Sequence, residues 1–100
     1  MDDFRIFRLG EGGWVITMRG AIDDAVVDRA VKELVARRDG SVIVDLMHAH
    51  LADLDALDSL VEAAGTTTTF VADRPLLDAL RLIGLRRYVR TEPTLAAALG

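Results

Sequence analysis

The sequence has no cysteine, one lysine and no apolar run of bilayer-spanning length. The first absence excludes disulfide staples and thiolate metal sites, which suits a reducing cytoplasm. The last excludes a membrane-spanning helix, and the amino-terminal Met1-Asp2-Asp3-Phe4-Arg5 lacks the basic region and apolar core of a secretory signal. A cytoplasmic protein without membrane insertion is the expectation. Positive charge is short as well, with 12 basic residues against 16 acidic ones and a net charge of −4. A general nucleic-acid binder needs the opposite balance, because its affinity comes from cations that replace the counterions of phosphates. Repeats, linkers and low-complexity segments are missing too. What remains is 100 residues, 51% of them hydrophobic, enough to fill one core but not two. One domain over residues 1–100 is expected.

The stretch from Ser41 to Ala64 organises the rest. Ser41-Val42-Ile43-Val44-Asp45-Leu46 is an apolar, β-branched run after Asp39-Gly40, the pattern of a strand covered on both faces. After a short loop, Leu57, Leu60, Val61 and Ala64 recur at helical spacing, and Gly65 is placed to stop that helix. Asp53 is suited to cap its start by accepting backbone N–H groups, and Asp55 lies in the first turn, where negative charge is favoured. Function is expected at this turning point.

Around it, Phe4 to Leu9 and Trp14 to Arg19 form two strands joined by Gly10-Glu11-Gly12-Gly13, a hairpin. That glycine-rich loop opens onto a strand, whereas a phosphate cradle needs a helix N-terminus. A helix follows, capped by Asp23 or Asp24, with Val26, Val27, Ala30, Val31, Leu34 and Val35 inward and its charges, Arg37 and Arg38 included, on a solvated face. Thr66 to Ala72 favours a strand. Asp73-Arg74-Pro75 announces a helix with Leu76, Leu77, Leu80 and Ile83 buried and Gly84 at its end. Arg86-Arg87-Tyr88-Val89-Arg90 is assigned to a short edge strand and Thr94 to Leu99 to a last helix. Strands alternating with helices after a hairpin imply an α/β fold: a mixed, largely parallel sheet and about four helices in the order ββαβαβαβα.

At this point the chain resembles the STAS family, the fold of bacterial anti-sigma factor antagonists. Trp14 to Asp23 resembles that family's second strand with its Gly-x-hydrophobic-Asp turn, and Ser41 to Leu46 its central strand. Asp53 to Leu57 stands where the family has Asp-Ser-Ser-Gly-Leu, and Arg81-Leu82-Ile83-Gly84-Leu85 is similar to its Leu-x-x-x-Gly-Leu segment. The resemblance covers essentially the whole chain and implies a partner-switching regulator. In the family the first serine of the motif is phosphorylated by an anti-sigma factor that is also a kinase, and the phosphate breaks their complex. The matched position here is Leu54, which has no hydroxyl, while Asp55 and Ala56 replace the second serine and the glycine. A switch by serine phosphorylation is therefore not expected, and Ser59, inside the helix, does not restore it. Asp53 and Asp55 leave the corner acidic, and Leu54 is suited either to an apolar knob or to the margin of the core.

The resemblance thus implies a non-enzymatic, protein-binding regulator whose partner is an anti-sigma factor or a related ATPase-fold kinase. The expected contact patch is His50, Asp53, Leu54, Asp55 and Asp58, with Asp23 at the neighbouring turn, and Asp55 and Asp58 steer a basic partner. No cofactor, catalytic residue or metal site is assigned. His48 and His50, placed in the loop after the central strand, form a sparse pair without a zinc-ligand run. Two alternatives stand beside this reading. One is a STAS accessory subunit of another assembly, such as a lipid transporter. The other is a receiver-like domain that takes phosphate on Asp45 with magnesium held by Asp23 and Asp24, although no late-strand lysine is available. Arg81, Arg86, Arg87 and Arg90 are given no ligand.

Overall fold

The computed structural model describes residues 4–100; Met1-Asp2-Asp3, read above for the lack of a signal, lies outside the described residues. Five strands and four helices follow one another as β1 (Phe4–Leu9), β2 (Gly13–Ile22), α1 (Asp24–Ala36), β3 (Ser41–Leu51), α2 (Leu54–Ala63), β4 (Thr68–Val71), α3 (Leu76–Ile83), β5 (Thr91–Glu92) and α4 (Leu95–Leu99). The strands lie in the sheet in sequence order. β1 and β2 form an antiparallel hairpin, and every later pairing is parallel. Successive crossovers of one hand that always step the same way along a sheet place their helices on one face.

That face holds the main core. Ile16, Met18 and Ile22 of β2, Val42, Val44 and Leu46 of β3, and Phe70 of β4 meet Val27, Ala30 and Leu34 of α1, Leu57, Leu60 and Val61 of α2, and Leu76, Leu80 and Ile83 of α3. Side chains alternate across a strand, so Val15, Ile43 and Val71 point to the other face, where Leu95 and Ala98 of α4 join them. The β-branched run of β3 is thus covered on both sides.

The expected α/β order is present, and four local assignments are corrected. β3 does not end at Leu46 but runs to Leu51, because β2 also runs on to Ile22 and the two continue to pair, Ala21 opposite His50. The continuation passes through a bulge, since Thr17 faces Asp45 and Arg19 faces His48. The last strand is not Arg86 to Arg90. After α3 the N–H groups of Arg86 and Arg87 turn back to the Ile83 carbonyl, at 2.9 and 3.2 Å, and pairing starts only where the Phe70 N–H donates to Arg90 O at 2.8 Å. Val35 of the expected inward stripe is exposed. Arg37 is not simply solvated: it caps the end of α1, lies 4.4 Å from the Trp14 ring centroid and pairs with Glu33.

Gly20 lies just past the bulge with φ of +77°, a conformation L side chains resist. An added Cβ would meet nothing within 4 Å, so conformation rather than space sets the penalty. Gly20→Ala is expected to lower stability by about 1–2 kcal/mol. Urea denaturation checks this, and an unchanged midpoint would contradict the backbone described.

Candidate functional site

The carboxyl ends of β2 and β3 bring the starts of α1 and α2 to one corner. Two aspartates set those starts. The Asp23 side chain accepts from Val26 N at 3.1 Å and caps α1, and the Asp53 side chain accepts from Asp55 N at 2.9 Å and caps α2. In each case a carboxylate satisfies a donor that has no partner within the helix, at the end where negative charge is favoured. Asp53→Ala is expected to cost about 1 kcal/mol, and Asp53→Asn to recover most of it. Thermal unfolding of the two variants checks the role.

Between the caps, β3 delivers His50, exposed, opposite Ala21. Leu54 opens α2 and is 42% exposed, so it is not a residue of the core margin. Asp55 is exposed beside it, whereas Ala56 and Leu57 turn inward and are buried. The corner therefore presents a leucine flanked by carboxylates on a helix start seated on the core by the buried Ala56 and Leu57. His50, Asp53, Leu54, Asp55 and Asp23 all lie at this end of the molecule.

Asp58 is placed differently from its expected role as an outward steering charge. Its two oxygens receive Arg87 Nε at 3.0 Å and Arg87 Nη2 at 3.3 Å, a two-pronged pair joining α2 to the segment after α3. Glu62, one turn on, lies 3.8 Å from the same guanidinium. The hydrogen bonds to Asp58 hold the Arg87 guanidinium above its ordinary pKa.

The carboxylates needed by the receiver-like alternative are not assembled. Asp45 sits within β3, level with Thr17, and its side chain accepts from Met47 N at 3.1 Å. Asp23 lies beyond the end of β2, about 20 Å further along at ordinary strand rise. His48 and His50 belong to β3 rather than to a loop. Among the described residues no three His, Asp or Glu side chains come together as a metal would require.

One part of this region escaped the sequence reading. Leu54 shares a cavity of about 280 Å3 with Leu82, Ile83, Leu85 and Arg86. Leu82 falls outside the α3 stripe of Leu76, Leu77, Leu80 and Ile83, and a leucine on the polar side of an amphipathic helix was the available signal.

No protein-family model matches the sequence, and no curated relative does. Solved structures do match. An anti-sigma factor antagonist from Mycobacterium paratuberculosis superposes with a TM-score of 0.73 and 24% identity, over 96% of this chain and 89% of that one. The anti-sigma factor antagonist SpoIIAA in its unphosphorylated form gives 0.62 and 15% identity, over 96% and 94% of the two chains. An uncharacterised protein from Shewanella loihica with a SpoIIAA-like fold gives 0.60 and 13%, over 96% and 89%. The chain has the fold of the anti-sigma factor antagonists, as the resemblance of its motifs implied.

Proposed function

We infer that this protein is a non-enzymatic, protein-binding regulator of the anti-sigma factor antagonist type, not switched by phosphate on its own motif. One observation carries the reading. At a helix start that the motif resemblance matches to a phosphorylatable serine, this chain exposes Leu54 between Asp53 and Asp55. A leucine there accepts no phosphate, and its exposed methyl groups gain free energy only when a partner covers them. Asp53 and Asp23 hold the backbone in place, Asp55 adds charge at the rim, and His50 borders the patch. The expected partner is an anti-sigma factor or a related ATPase-fold kinase.

The test compares wild type with Leu54→Glu and Leu54→Ser, each first shown to be folded by circular dichroism. Immobilised wild type is expected to retain a partner of that class from the native cell. Leu54→Glu should lower its affinity by roughly thirtyfold or more, because a carboxylate forced into an apolar contact loses at least about 2 kcal/mol. Leu54→Ser should become a substrate for the kinase, read as added phosphate by intact mass. If both variants bind as wild type does, Leu54 lies outside the interface. Recovery of a transporter ATPase would favour the accessory-subunit role instead. A stable acyl phosphate that disappears in Asp45→Asn would overturn a binding-only protein.

A further inference from the structure

Large apolar side chains are not scattered evenly over the surface. Leu54 is 42% exposed, Leu82 56% and Leu85 81%, and the three line one cavity of about 280 Å3 with Arg86. Exposed apolar groups that converge in this way mark an interaction surface, whereas single ones do not.

The charges around the cavity divide by side. On the α2 side are Asp53 and Asp55, with Asp58 and Glu62 already occupied by Arg87. On the α3 side Arg86 lines the cavity, and it lies within 4.0 Å of no carboxylate among the described residues. A chain of net charge −4 therefore presents at this cavity an arginine, Arg86, that no carboxylate among the described residues pairs with.

We propose that the surface of Leu54, Leu82 and Leu85, with Arg86 at its edge, docks an amphipathic helix of the partner that inserts a large apolar side chain and sets a carboxylate over Arg86. This rests on the protein-binding reading above and adds the chemistry of the partner: an acidic helix, where Asp55 and the net charge alone would select a basic one. The apolar cavity supplies affinity, and Arg86 fixes the direction in which the helix lies.

Two synthetic helical peptides test the charge preference. Both carry leucines at i, i+3, i+4 and i+7; one has glutamates beside them, the other lysines. The glutamate peptide is expected to bind about tenfold tighter or better, with amide shifts at Leu54 and at residues 82–88, and Arg86→Glu should abolish the preference. Equal binding, preference for lysine, shifts elsewhere or no binding of either would overturn the proposal. A concentration-dependent dimer lost in Leu85→Ser, or sedimentation of the protein with anionic lipid vesicles through the same residues, would overturn it too. The partner experiment separates this proposal from the reading beneath it. If Leu54→Glu releases the partner while Leu85→Ser and Arg86→Glu retain it, docking at the corner stands and the extended surface falls. If all three retain it, both fall.

Discussion

Leu57→Ala is expected to remove about 2–5 kcal/mol of stability, although it lies only one helical turn from the exposed Leu54. Leu57 is fully buried among the strands and helices of the main core, and its N–H donates to Asp53 O at 3.2 Å in the first turn of α2. Its isobutyl group is the wedge that fixes how the helix start meets the sheet. Truncation leaves a cavity whose lining relaxes only in part, so the loss exceeds the transfer free energy of the deleted carbons. Against a total of about 5–15 kcal/mol this is a large fraction. Leu54→Ala, by contrast, should change stability by no more than about 0.5 kcal/mol. Urea denaturation of the two variants checks the contrast. Equal effects would mean that α2 is not seated with residue 57 inward and residue 54 outward.

The same contrast shows why some of this molecule is legible in its sequence. Ser41 to Leu46 announces itself because both faces of that half of β3 are covered, so every position but Asp45 selects an apolar or β-branched side chain after Ser41. The second half carries the exposed His48 and His50 and crosses a bulge, which breaks the two-residue period that would have extended the strand. The caps are legible because capping is local: Asp23 and Asp53 each bond a backbone N–H within three residues. β5 is not, because two residues carry no periodicity, and Arg86 to Arg90 has strand-favouring residues that are turned instead by bonds to the Ile83 carbonyl.

At the site, the pairing of Asp58 with Arg87 joins residues 29 apart and exists only because α2 and α3 pack side by side. The meeting of Leu54 with Leu82 and Leu85 has the same origin. Sequence patterns report what each element does with its own face. What two neighbouring elements build together depends on their spacing in the fold, and here that joint surface carries the inference about the partner.

The far end of the α2–β4 crossover carries the other large expected effect. Phe70→Ala should cost about 3–5 kcal/mol, because a buried ring leaves a larger void than any aliphatic chain here. Phe70 is the bulkiest of the fully buried side chains, in a strand flanked by Val44 of β3 and Thr91 of β5. Its N–H donates to Arg90 O at 2.8 Å, so the ring also steadies the first backbone contact of the edge strand. A loss of that size should lower the melting temperature by about 12 °C or more for a chain of 100 residues. Phe7→Ala serves as the control, since Phe7 stands exposed on β1 and its removal opens no cavity. Calorimetry of both variants gives the answer. A Phe70 variant that melts within a few degrees of wild type would place the ring outside the core and with it the register that aligns β3, β4 and β5.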